Sequence, residues 1–434
     1  MSAAAVRWKA DAERSGIVIN FTRRGWVRHS GDGDDWHLYW ASVQTVKHIF
    51  NPESGFRLAD NQLINHFPNH YELTRKDLMV KNIKRYRKDV EKESGHAIAN
   101  FVPTTYVLPA DYSLFLEEFR RNVHAMWIMK PTSKAQGKGI FLVNKLSQIK
   151  KFANTRWASN SGSVQSYVIS RYIESPLLVG GKKFDLRLYV LVTSYRPLKA
   201  YMFRRGFARF CNAKYTTDIA DLDNQFVHLT NVAIQKHNED YNEKHGGKWS
   251  LDNLKLFLCS QYGMDATRGL FAAMVDIVVH SLRAVQNVMI NDKHCFECYG
   301  YDLLIDDNLK PWLVEVNASP ALSATTHNDR IMKHALLHDV LKIVVPDGFP
   351  DVGINEWRGS TALLSSSSSS LLHGPSAGGR GGRDARAAHG DGAERPPAVV
   401  VGDFEVLLDE AAEQAERTRE AQRRSSRRIT AQWR

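Results

Sequence analysis

The 434-residue chain has no run of eighteen or more apolar residues, and its start, MSAAAVRWKADAERSG, has no apolar core of signal-peptide type. A soluble, cytosolic protein is therefore expected. Cysteine is scarce: Cys211, Cys259, Cys295 and Cys298 are too few for a disulfide framework in a chain of this length, so reduced thiols are expected. Cys295 and Cys298 form a lone CxxC. The segment reads as strand, where residues three apart point to opposite faces, and no second CxxC completes a zinc site. Zinc-finger spacing, an RNP-type aromatic motif and a basic leucine zipper are also missing, which removes the common routes to nucleic acid. There is no GxxxxGK[ST] phosphate loop, no kinase glycine loop with its HRD motif and no dinucleotide fingerprint. No internal repeat is evident. Acidic residues, 47 Asp and Glu, are outnumbered by 58 Lys and Arg, and the formal net charge of +11 points to an acidic macromolecular partner.

What remains is a chain long enough for two or three packed domains, with 43% hydrophobic residues to fill their cores. Residues 1–100 mix short apolar runs with turns and read as an N-terminal domain ending in a helix. Within Tyr71 to Lys92, eight Lys or Arg stand against four acids. Helical spacing turns Leu78, Ile83 and Tyr86 inward and leaves Lys81, Lys84, Arg85 and Lys88 solvated, as an ordinary charged face or as a docking surface for an acidic partner. Residues 101–180 alternate strands with helices, an α/β unit. Residues 181–345 open with LRLYVLVTSY, a buried antiparallel strand by its alternation, and pass through a long amphipathic helix, Leu270 to Met289, to a hairpin. Residues 346–402 hold a serine run and a Gly, Ala, Arg and Pro-rich stretch and read as a disordered linker. Residues 403–434 read as a basic tail helix whose acidic start and basic end suit the helix dipole, either free or partner-binding.

Three stretches could carry chemistry. YDLLIDDNLKPWLVEVNASP, Tyr301 to Pro320, reads as a β-hairpin turning at Asp306, Asp307 and Asn308. With its loop centred on Asn308 and Leu309, Asp302 lies opposite Glu315, and Asn317 shares their face. Two carboxylates and an amide oxygen are hard ligands suited to Mg²⁺, with Gly300 leaving room opposite Asn317. A solvated hairpin with a polar face is the plainer alternative. Upstream, WIMKPTSKAQGKGIFLV puts Lys130 at the end of an apolar strand, before a loop with Gly137, Lys138 and Gly139 whose amides and lysines suit phosphate oxygens. An ordinary hairpin turn also fits. In GGKKFDLRLYV, Lys183, Asp185 and Arg187 share one strand face while Phe184, Leu186 and Leu188 fill the other. The charged face either pairs with itself or lines a cleft, where an arginine can fork onto phosphate. Arg209, Thr230, Asn231 and Lys248 follow, each alone more often surface or structure than site.

Taken in order, WIMKP, QGKGI, YVISRYI, KFDLRLYVLV, FVHLTNVAIQK, HGGKW, CFECYGYD and PWLVEVNASP make the chain resemble the tubulin tyrosine ligase-like family, a branch of the ATP-grasp ligases. The resemblance spans roughly residues 15 to 345 and leans toward the polyglutamylase catalytic subunits. It implies an α/β (α+β) ATP-grasp fold with N-terminal, central and C-terminal subdomains and a disordered C-terminal tail, and it implies ATP with Mg²⁺, or Mn²⁺ in its place. By resemblance, Lys130 and Lys138 are phosphate ligands, with Gln136 and Gly137 in the lid beside them. Ser170, Arg171, Tyr172 and Ile173 meet adenine, Lys183, Phe184 and Asp185 belong to the nucleotide, and Thr230 with Asn231 lies near the phosphates. Arg187, Arg209 and Lys248 form the implied catalytic set, Arg187 at the γ-phosphate. Gln136, Arg209 and Lys248 are the implied contacts to the incoming amino acid and its acidic target, and Asp302, Glu315 and Asn317 match the metal ligands.

No position departs from the family pattern, so an active enzyme is implied. It would ligate free L-glutamate onto a glutamate side chain of a tubulin C-terminal tail through an acylphosphate. The implied partners are microtubule tails and accessory subunits of a polyglutamylase complex, with no nucleic acid and no membrane. The implied location is the cytoplasm and cytoskeleton, including the axoneme and basal body of cilia or flagella. A tubulin glycine or tyrosine ligase and a noncatalytic microtubule-binding subunit are the competing readings.

Overall fold

In the computed structural model of the chain, residues 5–31, 33–132, 134, 136–150, 166–239, 241–242, 246–351 and 400–432 are described, with side chains to residue 422. Three sheets organise them. The N-terminal sheet is parallel, in the order β2-β1-β3-β4, from β1 (Arg7–Ala10), β2 (Val27–Arg28), β3 (Leu38–Trp40) and β4 (Leu63–Ile64). The central sheet is antiparallel, in the order β5-β8-β6-β7, from β5 (Thr105–Leu108), β6 (Trp127–Pro131), β7 (Phe141–Val143) and β8 (Tyr167–Arg171).

The third sheet has nine strands: β9 (Leu178–Val179), β10 (Lys182–Tyr195), β11 (Leu198–Phe203), β12 (Phe207–Phe210), β13 (Lys248–Ser250), β14 (Glu297–Ile305), β15 (Pro311–Asn317), β16 (Val400–Val401) and β17 (Phe404–Asp409). Its spine is β10, whose one edge is taken by β12 and then β11 and whose other edge is taken by β14. The alternation of LRLYVLVTSY therefore yields a strand buried on both faces. Phe184, Leu186, Leu188, Val190 and Val192 pack in the main core with Leu270, Met274 and Ile277 of the helix Met264–Gln286. Each such side chain contributes about 1.5–3 kcal/mol of burial. That helix is long and apolar enough to cross a membrane, but burial of Leu270, Met274 and Ile277 against β10 makes it a core helix. The other face of β10 carries Lys183, Asp185 and Arg187, then Tyr189 and Leu191, which cluster with Leu336 and Val340 of the helix His327–Val344.

Two elements depart from the sequence reading. In the basic helix, Lys76–Ser94, Ile83 is buried as expected, yet Met79 and Val80 are its main inward residues and Leu78 is only half-buried. Lys84 does not simply stay solvated, because its ammonium donates to the Thr105 carbonyl at 2.6 Å and lies 5.4 Å from the Tyr106 ring centre. At the C-terminal end, residues 352–399 of the expected linker lie outside the described residues, while Phe404–Asp409 is strand and the helix begins only at Glu410. Phe404, Val406 and Leu408 recur at every second position, the period of a strand. β17 pairs with β11, burying Phe404 completely, and ion pairs Lys199–Asp409, Arg204–Glu405 and Arg205–Asp403 fix its register.

Candidate active site

A cleft lies between the central sheet and the large sheet, lined by both. Its apolar part includes Ile128, Val168, Tyr172, Ile173, Leu304 and Leu313. Its polar end is marked by Lys76, Lys130, Lys183, Asp185, Asp302 and Glu315. The loop between β6 and β7 overhangs it. There Gln136 takes φ 63°, Gly137 φ 77° and Gly139 φ 75°, a left-handed run that only glycine adopts without cost. A Cβ on Gly137 would meet Ile234 Cδ1 at 2.5 Å and Asn231 Oδ1 at 3.1 Å, so this turn packs directly on the Thr230–Asn231 segment.

The large sheet lays charged side chains in a row across five strands. In register, Lys248 on β13 opposes Arg209 on β12, Arg209 opposes Asp185 on β10, Arg187 opposes Asp302 on β14, and Asp302 opposes Glu315 on β15. The contacts keep that order. Arg209 forks onto Asp185, Nε donating to Oδ1 at 2.7 Å and Nη2 to Oδ2 at 2.5 Å. Its Nη2 also reaches Asp302 at 2.8 Å. Arg187 forks onto the same Asp302 at 2.6 and 3.1 Å. Glu315 is paired with Lys76 at 2.9 Å, and Lys248 with Asp329 at 2.9 Å. Asp329 in turn holds Lys333 at 3.0 Å.

Burial works against these charges, and neighbours decide the outcome. It pushes the Asp302 carboxyl up, but Arg187 and Arg209 overcome it and hold the group well below the usual carboxylate range. Burial brings Lys130 down to about 8, with Glu315 opposing and Lys76 and Lys183 adding to the fall. Among the described residues the Lys130 ammonium has no hydrogen bond or ion pair. Lys183, also lowered by burial, donates to Tyr172 Oη at 2.9 Å and to the His228 carbonyl at 3.1 Å. Lys333 is likewise brought down to about 8 by burial, against the pull of Asp329.

The hairpin register matches expectation at the site for an unexpected reason. Gly300 faces Asn317 and Asp302 faces Glu315, but Leu303 faces Leu313, so Val314 is a bulge. The turn is centred on Asn308 alone, and the bulge restores the pairing that brings the two carboxylates together. Asn317 Nδ2 stands 3.4 Å from an oxygen of each.

Of the other expected site residues, Gln136, Gly137, Ser170, Arg171, Tyr172, Ile173, Thr230 and Asn231 line the cleft together with Lys130, Lys183, Asp185, Asp302 and Glu315. β8 ends at Arg171, so Tyr172 and Ile173 come after the strand rather than belong to it. Arg187 and Arg209 stand behind this lining and reach it through Asp302 and Asp185, whereas Lys248 lies outside the lining and pairs with Asp329. One expectation is corrected, and one further expected residue lies outside the lining. Phe184 points away from the cleft, 1% exposed in the main core against Phe210, because it alternates with Lys183 and Asp185 along β10. Lys138 is exposed on the turn and outside the lining, whereas Lys134 of the same loop is within it. Lys76 and the Asp329–Lys333 pair escaped sequence reading. Lys76 comes just after the short helix Tyr71–Thr74 in a segment that reads as evenly basic, so nothing local singles it out.

Comparison with known proteins gives this geometry a family. Residues 56–351 match the model of the tubulin-tyrosine ligase family. The chain is 48% identical over 430 residues to the "Probable alpha-tubulin polyglutamylase Ttll1" of Tetrahymena thermophila, covering 95% of both. It is 44% identical over 373 residues to the "Probable tubulin polyglutamylase TTLL9" of Bos taurus, covering 79% of this chain and 80% of that protein. It is 35% identical over 338 residues to the Homo sapiens "Tubulin polyglutamylase TTLL5", which it covers over only 24% of that length. With its mixed sheets and helices of ATP-grasp type, the chain belongs to the tubulin-tyrosine ligase family.

Proposed function

We propose that the chain is a tubulin polyglutamylase, joining free L-glutamate to the side-chain carboxylate of a glutamate in a tubulin C-terminal tail at the expense of ATP. The observation that carries the reading is the cleft itself, which joins an apolar lining to Lys130, Lys183, Asp302 and Glu315. The names of the relatives support glutamate and tubulin as the substrates.

The residues fit a divalent metal. Asp302 and Glu315 offer carboxylates from adjacent strands, and turning the Asn317 amide over would offer its oxygen beside them. Among the described residues no group of three or more His, Cys, Asp or Glu is placed to hold a metal, so the remaining ligands would be the amide, water and phosphate. Mg²⁺ held there would offset negative charge on the phosphates.

Lys130 and Lys183 would neutralise the phosphate oxygens, and the apolar wall would hold the base. An oxygen of the acceptor carboxylate attacks the γ-phosphorus and ADP leaves. The amine of the incoming glutamate then attacks the acyl carbon and phosphate leaves, giving an amide. Such transfers depend on positioning and fixed cations, and no covalent enzyme intermediate is needed. Arg187 and Arg209, already bound to Asp302 and Asp185, would hold those carboxylates in place. Mass spectrometry of tubulin tails after incubation with ATP and glutamate, glycine or tyrosine tests this, using the chain alone and with co-purified subunits. Glutamate-sized additions are expected, and additions of glycine or tyrosine instead would overturn it.

A further inference from the structure

Lys76 has no task in the phosphate and metal chemistry set out above, although it lies in the cleft. It is the first residue of the helix Lys76–Ser94, and Met79 and Val80 of the next turn line the cleft beside it. A cation in the first turn of a helix is opposed by the positive end of the helix dipole. Arg75, one residue earlier, is balanced by Asp77 at 2.7 Å. With Asp77 taken, Lys76 reaches across the cleft, its ammonium 2.9 Å from Glu315 Oε2.

This pair is built differently from its neighbours on the large sheet. Arg187 and Arg209 fork onto Asp302 and Asp185 through both carboxylate oxygens, and all four side chains are at most 10% exposed. Lys76 instead brings a point charge on a flexible stem, and it and Glu315 are 12% and 20% exposed. Of these pairs it is the one that water reaches best, so it exchanges partners at the least cost. Among the described residues that line the cleft, five Lys or Arg stand against three carboxylates, with Arg187 and Arg209 behind two of the three. That surplus attracts a polyanion and repels a free divalent cation.

We propose that Lys76 and the divalent metal take Glu315 in turn. Lys76 holds the carboxylate until nucleotide arrives, phosphate then draws the ammonium away, and Glu315 is released to the metal. Lys130 feels the charges of both Glu315 and Lys76, so the exchange stays within one cluster. A residue of the N-terminal domain thereby admits the metal with the nucleotide rather than ahead of it. The proposal rests on the reading of the cleft as a site for ATP and metal.

Mn²⁺ titrations followed by the electron paramagnetic resonance of the free ion test this without turnover. In the full chain with its co-purified subunits and no nucleotide, Lys76→Met is expected to bind Mn²⁺ about tenfold tighter than wild type, since a neighbouring unit charge is gone. Lys76→Arg keeps the cation and is expected to stay within a few-fold of wild type. Adding Glu315→Gln to Lys76→Met should remove the gain, which assigns it to the hairpin. With a saturating β,γ-imido analogue of ATP, wild type should take up Mn²⁺ and its difference from Lys76→Met should shrink to a few-fold. Unchanged or weaker Mn²⁺ binding by Lys76→Met without nucleotide would overturn the proposal, as would an equal gain in Lys76→Arg or a gain that survives Glu315→Gln. Absence of Mn²⁺ uptake by wild type with the analogue present would instead sink the ATP and metal reading.

Discussion

The two walls of the cleft between the central sheet and the large sheet handle charge in opposite ways. The large sheet brings its ions as a closed set, Arg209 with Asp185, Arg187 with Asp302, and Lys76 with Glu315 from across the cleft. The central sheet brings Lys130 with no partner among the described residues. A buried pair that loses one member costs about 3–5 kcal/mol, whereas a buried lone amine is itself a liability relieved by an anion. One wall is thus set rigidly before ligand arrives, and the other is completed by it.

Substitutions test that contrast, the largest effect first. Asp302→Asn leaves two buried arginines short of charge, so it should lose at least 100-fold in tail glutamylation and also about 3 kcal/mol of stability by denaturant titration. Glu315→Gln should lose comparable activity with far less stability, since its pair with Lys76 is partly solvated. Persistence of modification with Glu315→Gln would mean that the chain is not the catalyst. Lys130→Met should raise the KM for ATP about tenfold while leaving thermal stability equal or higher, and a loss of stability would erase the distinction between the walls.

The same lysine gives a pH signature. Its pKa is pushed down, so it is charged below about 8 and neutral above. ATP affinity should fall as pH rises through 8. Between there and the ordinary lysine value the unfolded chain binds more protons than the folded one, so stability should rise with pH. In Lys130→Met the ATP trend should vanish and the stability trend should shrink to what the other lowered lysines, Lys183 and Lys333, contribute. The smallest effect is expected from Gly137→Ala, where the left-handed φ and the Ile234 contact should raise the KM for ATP a few-fold, read by steady-state kinetics. An unchanged KM would show that the overhanging turn takes no part in binding.

Much of this site is legible in the chain because its residues sit at strand periods. Lys183, Asp185 and Arg187 share a face by alternation alone, and Asp302 meets Glu315 by hairpin arithmetic. The arithmetic succeeds only because the Val314 bulge compensates for the tighter turn, and no local signal marks a bulge. Contacts between distant segments are illegible for a different reason. Lys76 reaches the site, and Asp329 reaches Lys248, through domain packing, and nothing in their own neighbourhoods distinguishes them from surface residues. β17 is disguised by its C-terminal neighbour, since DFEVLLDE runs without a turn into a helix-forming stretch and takes on its appearance. Its alternation of Phe404, Val406 and Leu408 is short, and the free edge on β11 that it joins is known only once the sheet is assembled.

That last pairing bears on how the chain is made. On the ribosome, β10, β11 and the β14–β15 hairpin emerge well before Phe404, with residues 352–399 still to be synthesised between them. During that interval the nascent sheet has an unpaired β11 edge and an uncovered Phe203, the kind of surface that attracts chaperones or other strands. A message truncated anywhere in that interval would yield a polypeptide holding every residue that lines the cleft and lacking the strand that closes its scaffold.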